Sequence, residues 1–384
     1  MANSIYKLDL PEPFDWATNS GTTTDPGASR KATGFQVATR APAKHFNWVF
    51  NLVGQWTRVV ARSIINTFSF SAGPLASSVI PDNLVWMGSY WWLSAGSDVY
   101  YSDYGNTQVT TGVSLGGIPQ LPHIRPLKDA TGRLIVPGVT GLTTLDYATN
   151  PIAGSWTTVA PSIGTIKALG IALGGDRVML GSSSGTISYA ADIASSWTTP
   201  STPFSGTPDV ISIKHMGGTV WFAATDDGQT ATSINNGVAW SLTTAQPSAE
   251  SDFSLLSDAD VNEVTGTICS FGETTTSEVP IYRSTDLGTS WVNTNTDVTY
   301  ASVPISKKIR HFGGPLWVAI VEVTGIVAYV ILVSADDGAT WSELRLGGSW
   351  VSTGYLQGPY DMDCDGHVIR CIGKGASTIT SGGV

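Results

Sequence analysis

The sequence is poor in cysteine and contains no long apolar run. Only three of its 384 residues are cysteine, at positions 269, 364 and 371. An odd count without regular spacing argues against a disulfide-stapled secreted domain, and we predict three reduced core residues. No stretch is long and apolar enough to cross a membrane, and the first residues lack the basic and then apolar order of a signal peptide. These absences predict a protein that folds in a reducing cytoplasm without membrane insertion.

Charge is also scarce, since charged residues make up 13% of the chain. The net charge of −10 gives no support to nucleic-acid binding, which needs clustered Lys and Arg. The five histidines are scattered one per segment without the spacing of metal ligands, so we predict no zinc, no copper and no cofactor. Glycine is abundant instead, with 42 residues, as expected of many strands joined by tight turns.

One short pattern recurs, Ser-x-Asp-x-Gly-x-x-Trp. In a β-hairpin the Ser and Asp side chains hydrogen-bond the backbone of the turn, Gly adopts a positive φ, and Trp anchors the next strand. Two copies match fully and a third carries Asn in place of Asp. The matching positions are Ser284, Asp286, Gly288 and Trp291; Ser334, Asp336, Gly338 and Trp341; and Ser233, Asn235, Gly237 and Trp240.

This pattern resembles the Asp-box, or bacterial neuraminidase repeat, of β-propellers, in which it is a structural turn at the blade periphery. Weaker copies lie upstream, so that the repeats end at residues 108, 156, 197, 240, 291 and 341, in steps of 48, 41, 43, 51 and 50. This period is that of a propeller blade. We predict an all-β fold over residues 67–384, a propeller of about seven four-stranded blades, with six or eight still open. The early strand at 67–71 would supply the last outer strand and close the ring.

The chain before residue 67 has a different character. Residues 1–41, broken by Pro and Gly, are predicted to be an extended anchoring arm. Residues 42–66 are predicted to form an amphipathic helix, which packs either on its own propeller or on copies of itself and other subunits. Its apolar positions are Phe46, Trp48, Val49, Phe50, Val53, Trp56, Val60 and Ile64.

The same region carries a second resemblance. The pairs and runs Gly34-Phe35, Pro42-Ala43, Asn47-Trp48-x-x-Asn51 and Trp56 look like the amino-terminal segment of tailed-bacteriophage tail, fibre and baseplate-associated proteins. The resemblance covers about 30 residues. It implies a virion protein that is anchored to the particle through its amino terminus.

Two chemical sites were weighed. Asp361, Asp363 and Asp365 resemble the start of a calcium loop, but Ile372 stands where an EF-hand has its bidentate Glu, so a strand that leads into an Asp-Gly turn is the simpler interpretation. Sialidases, which share the Asp-box, resemble one another in an Arg-Ile-Pro element, and Ile124-Arg125-Pro126 inverts its order. No catalytic residue is therefore carried over from that family.

The sequence thus favours a non-enzymatic bacteriophage virion structural protein. It would be assembled in the host cytoplasm, held in the tail by contacts with copies of itself and other tail proteins, and would display a propeller. The alternatives are a module that binds a host surface glycan or protein, and a glycan-degrading depolymerase related to sialidases.

Overall fold

The computed structural model describes residues 68–72, 83–95, 98–103, 110–114, 125–137, 143–151, 155–172, 177–243, 253–274, 279–294, 304–323, 328–344, 357–364, 369–374 and 377–381. The predicted arm at 1–41 and the predicted helix at 42–66 lie outside these residues. The chain divides into two compact units, Met1–Ser63 and Ile64–Val384, and the described residues all belong to the second.

The described residues form seven antiparallel sheets, each of which is one blade. The chain enters through β1 (Phe68–Ala72). Blade 1 then consists of β2 (Asn83–Trp86), β3 (Tyr90–Ala95), β4 (Asp98–Asp103) and β5 (Thr110–Ser114). Blade 2 consists of β6 (Leu127–Lys128), β7 (Leu134–Pro137), β8 (Leu145–Ala148) and β9 (Thr157–Val159). Blade 3 consists of β10 (Ile166–Ile171), β11 (Val178–Ser182) and β12 (Ile187–Ala190).

The remaining blades follow in chain order. Blade 4 consists of β13 (Val210–His215), β14 (Trp221–Thr225), β15 (Thr230–Ser233) and β16 (Ser241–Leu242). Blade 5 consists of β17 (Phe253–Asn262), β18 (Thr267–Thr274), β19 (Ile281–Ser284) and β20 (Val292–Asn293). Blade 6 consists of β21 (Pro304–His311), β22 (Trp317–Val323), β23 (Ala328–Ser334) and β24 (Ser342–Leu344). Blade 7 consists of β25 (Gln357–Cys364), β26 (Ile369–Lys374), β27 (Ser377–Ser381) and, at its outer edge, β1.

The prediction of an all-β propeller is confirmed, with one difference in the blades. Six of the sheets have four strands, whereas blade 3 has three, and the isolated bridge between Tyr189 and Thr198 stands where a fourth strand would pair. The described part of the chain contains no helix, and hence no helix that could span a membrane.

From blade 2 through blade 7 to blade 1, the first strands of successive blades contact one another and therefore surround the axis. The core lies between blades. In β22, Val318 and Ile320 pack toward Met362 of blade 7, while Trp317 and Ala319 pack toward blade 5. Because both faces of this part of the strand are buried, its residues from Trp317 to Val321 are all apolar and do not alternate with polar residues.

The ring is closed by β1, which pairs with β27 from Phe68 opposite Ser381 to Ala72 opposite Ser377. The predicted role of the early strand is therefore confirmed. In the antiparallel pair of β25 and β26, Cys364 lies opposite Ile369.

Candidate functional site

The three hairpins that carry the repeated pattern, called the template hairpins here, join the third and fourth strands of blades 4, 5 and 6. In blade 5 the Ser284 hydroxyl donates to Asp286 Oδ1 (2.8 Å) and accepts the Gly288 N–H (2.9 Å). Asp286 Oδ1 also accepts the N–H of Ser290 (2.9 Å), and Trp291 Nε1 donates to the Gly288 carbonyl (3.0 Å). The turn is thus held together by its own four pattern positions.

The other two template hairpins repeat these bonds. Blade 6 makes them with Ser334, Asp336, Gly338 and Trp341, and blade 4 with Ser233, Asn235, Gly237 and Trp240. The turns also need two consecutive residues of positive φ. The residue before each Gly has φ near 60°, and the Gly itself has φ near 80°. Asn therefore replaces Asp without a change in the turn, because both offer an acceptor oxygen.

Each template hairpin also fastens its blade to the preceding one. A Cβ at Gly237 would overlap Met179 Cε of blade 3, and one at Gly338 would overlap Cys269 Sγ of blade 5. Trp341 Nε1 is within 3.2 Å of Thr294 Oγ1, which also belongs to blade 5. The small residue is required by the close approach of two blades as well as by the turn.

Asp337, in the template hairpin of blade 6, joins the two blades by hydrogen bonds. Its carboxylate accepts from Trp317 Nε1 (3.1 Å) and Asn262 Nδ2 (2.8 Å), and from the hydroxyls of Thr265 (2.9 Å) and Thr267 (2.5 Å). Burial alone would raise the pKa of this carboxyl, but these hydrogen bonds hold it below its ordinary value. In blade 4, Asn236 takes part of this role, because its Oδ1 accepts a hydrogen bond from Trp221 Nε1 (3.0 Å).

The weaker upstream copy in blade 3 has a different partner. Asp192 still accepts the N–H of Ala194 (2.9 Å), but it also forms an ion pair with Arg133 of blade 2. Burial raises and hydrogen bonding lowers the pKa of Asp192, and the bond from Arg133, the largest cause, leaves it below its ordinary value.

The axis is lined by charged residues, of which sequence reasoning singled out only Asp361 and Asp363, and those as calcium candidates. They occur two apart on first strands, as Asp258 and Asp260 on β17, Lys308 and Arg310 on β21, and Asp361 and Asp363 on β25. Residues two apart in a strand face the same side. This spacing, which places two charges on one side of the same strand, was the available sequence signal.

The aspartates accept hydrogen bonds from backbone N–H groups at the edges of the neighbouring first strands. Asp258 and Asp260 accept the N–H groups of Ile309 (3.2 Å) and His311 (2.8 Å) in blade 6. Asp361 and Asp363 accept those of Leu84 (2.9 Å) and Trp86 (2.7 Å) in blade 1. We call this arrangement the inner clasp. It supplies acceptors to N–H groups that lie at the edge of a sheet and would otherwise be left without them.

The clasp is electrically compensated. Arg310 Nη1 lies 2.6 Å from Asp258 Oδ2, and both side chains are almost fully buried. Burial would raise the pKa of Asp258, but Arg310, Lys308 and Lys214 together keep it below its ordinary value. Burial lowers the pKa of Lys308 to about 8 despite the nearby Asp258.

The first strands of blades 2 to 7 enclose a cavity of about 490 Å³ at one end of the axis, which we call the axial mouth. It is lined by His215, Glu263 and His311 among others. Each histidine has Nε2 within 3.1 Å of a carbonyl in its own blade, Gly218 or Gly314. The His215 ring meets Trp221 edge to face, and the His311 ring is tilted against Trp317. Burial raises the pKa of Glu263.

The calcium candidate is only partly within the described residues. Asp361 and Asp363 belong to the inner clasp, and Arg125 Nη2 lies 2.7 Å from Asp363 Oδ1. Asp365 lies outside the part of the chain that the structure describes. Within that part, no group of three or more His, Cys, Asp or Glu residues is arranged to hold a metal ion. The predicted helix positions from Phe46 to Ile64 also lie outside it.

Comparison with known proteins adds the fold and nothing more. No protein family and no curated protein matches the sequence. Among solved structures, the chain is similar to YCF48 bound to D1 peptide, with 11% identity, a TM-score of 0.56, and coverage of 82% of this chain and 95% of that one. YCF48 from Cyanidioschyzon merolae is 13% identical, with a TM-score of 0.55 and coverage of 82% of this chain and 98% of that one. The GH74 xyloglucanase from Xanthomonas campestris is 11% identical, with a TM-score of 0.59 and coverage of 82% of this chain and 53% of that one. Propellers of this shape serve several activities, so the likeness assigns none.

Proposed function

We propose that this protein is a non-enzymatic structural component of a bacteriophage tail, anchored through its amino-terminal segment and displaying the propeller. The observation that carries the proposal is the run Asn47-Trp48-x-x-Asn51 with Trp56, which resembles that segment in phage tail, fibre and baseplate-associated proteins. The template hairpins, which resemble Asp-boxes, serve the propeller as structural turns.

The geometry of the axis supports the non-enzymatic part. Glycoside hydrolysis needs two carboxyl groups free to act on one bond, one as acid and one as base or nucleophile. Glu263 has the raised pKa of a candidate acid. However, Asp260 pairs with Lys214 (3.1 Å) and Asp363 with Arg125 (2.7 Å). These carboxylates hold strands together. The depolymerase alternative would be supported by the release of reducing ends from a host polysaccharide.

The anchoring role is tested by the solution mass of the full chain, measured by light scattering. We expect a multiple of the 40.4 kDa chain. Val53→Asp would place a charge in the apolar stripe and should yield monomers, because a buried unpaired charge is strongly unfavourable. Arg58→Asp, which changes the charge on the side of the predicted helix away from the apolar positions, is the matched control and should still assemble. A full chain that is monomeric at all concentrations would overturn self-assembly through this helix, and would leave packing on its own propeller or on a different tail protein.

A second candidate, binding of a host surface molecule, is favoured by one observation. The axial mouth is a cavity of about 490 Å³, within the range of sites that hold small ligands. Binding of the full chain on a glycan array, lost when Glu263 or Lys214 is changed, would support this function.

A further inference from the structure

The axial mouth contains one carboxylate, that of Glu263, with no cation at ion-pair distance among the described residues. The three cations that line the mouth already have carboxylate partners at ion-pair distance. These pairs are Arg125 with Asp363 (2.7 Å), Lys214 with Asp260 (3.1 Å) and Arg310 with Asp258 (2.6 Å). Among the described residues, no hydrogen bond or ion pair reaches the carboxylate of Glu263.

Glu263 lies directly after β17, in the loop that leads to β18, and its side chain is half-buried. Burial raises the pKa of Glu263 and outweighs the more distant charges, of which those of His215, His311 and Lys214 lower it and that of Asp260 raises it. The ionised group is therefore short of hydration, and none of these cations lies at ion-pair distance from it. A ligand that brings a positive charge to this point would relieve that deficit.

The walls beside Glu263 are apolar. Ile171, Val261, Val264 and Phe312 line the same cavity, and Val264 is 91% exposed. An apolar stem that covers these side chains removes apolar surface from water and adds to the binding free energy. The mouth thus combines one carboxylate that has no ion-pair partner with an aliphatic and aromatic wall.

We propose that the axial mouth binds a lysine side chain of a protein partner, with its ammonium group on Glu263 and its methylene stem on the apolar wall. An aliphatic stem with a terminal charge matches this wall better than an amino sugar, whose carbons carry hydroxyl groups. The inference rests on the mouth alone and stands or falls separately from the phage role.

The test is calorimetric titration of the full chain with Nα-acetyl-lysine methylamide, for which we expect a dissociation constant on the order of 1 mM. Glu263→Gln keeps the shape of the side chain and removes its charge, and it should weaken binding about tenfold because a charge-assisted hydrogen bond is lost. Glu343→Gln, on the outermost strand of blade 6, is the matched control and should bind like the unchanged chain. The melting temperature of each variant shows that it is folded.

Two further probes make the outcome decisive. The norleucine analogue has a similar aliphatic stem without the ammonium group, and binding as tight as that of the lysine compound would overturn the charge argument. Glucosamine has the amine without the stem, and equal or tighter binding would identify an amino sugar and overturn the lysine assignment. Val264→Asn should weaken the lysine compound, and an unchanged affinity would show that the wall does not contact the stem.

Discussion

At the scale of single residues, the pattern glycines do not all have the same task. Gly288 and Gly338 have nearly equal φ values, +83° and +79°. A Cβ at Gly288 would meet Trp291 Cζ2 at 3.5 Å, an ordinary contact, whereas one at Gly338 would overlap Cys269 Sγ. The two positions therefore separate the cost of a positive φ from the cost of a close approach between blades.

We expect Gly288→Ala to lower the free energy of unfolding by about 1 kcal/mol, the cost of a left-handed backbone for alanine. Gly338→Ala should cost a further ~1–3 kcal/mol, because the methyl group also overfills a packed interface. Denaturant unfolding of both variants measures the difference. Combining Gly338→Ala with Cys269→Ala should recover part of it, since the sulfur is what the methyl group meets. Equal losses for the two single variants would contradict the overlap.

Asp337 predicts a dependence on pH. Its pKa is lowered in the folded protein, since burial, which opposes ionisation, is outweighed by hydrogen bonds from Thr267, Asn262 and other donors. A lowered carboxyl pKa stabilises the fold above the unfolded value of about 3.9, and this contribution is lost as the pH falls through the folded value. Melting temperature should therefore decrease below about pH 4.

In Asp337→Asn the decrease should be smaller, because the amide does not titrate, while the variant should be less stable than the unchanged chain at pH 7. If Asp337→Asn shows the same decrease in melting temperature at low pH as the unchanged chain, other carboxyl groups cause that decrease.

At the scale of elements, local features were predictable and features between blades were not. The template hairpins were found because Ser284, Asp286 and Gly288 act on one turn within a few residues. The inner clasp was not predicted, because Asp258 accepts a hydrogen bond from the N–H of Ile309, which belongs to the next blade. Nothing near Asp258 in the sequence marks that partner.

Blade 3 illustrates the same limit. In its turn Ala190 and Ala194 replace the Ser and Gly of the pattern, so the hydrogen bonds of the Ser hydroxyl that hold the template hairpins of blades 4, 5 and 6 are lost. Asp192 pairs with Arg133 instead, 59 residues upstream. The degraded pattern indicated a weaker turn, but only the fold shows the neighbouring blade that supports it.

At the scale of the whole molecule, the pairing of β1 with β27 makes the ring a closed structure, since one blade takes strands from both ends of the propeller. A propeller that opens at this point would separate blade 7 into two parts. The strength of this closure should therefore contribute to the stability of all blades together.

A disulfide between β1 and β27 tests this closure. Ser71 and Thr378 are Cα partners in the antiparallel pair, and such partners lie within the range that a disulfide can bridge. In the variant Ser71→Cys with Thr378→Cys, the oxidised form should be more stable than the reduced form by ~2–4 kcal/mol, because the bond restricts a very long loop of the unfolded chain. Thermal unfolding of the same variant with and without reductant measures the gain as a rise of several degrees in melting temperature. The two single-cysteine variants show whether Cys269, Cys364 or Cys371 takes part. If the oxidised form melts at the same temperature as the reduced form, the two strands do not limit unfolding, and the ring opens elsewhere first.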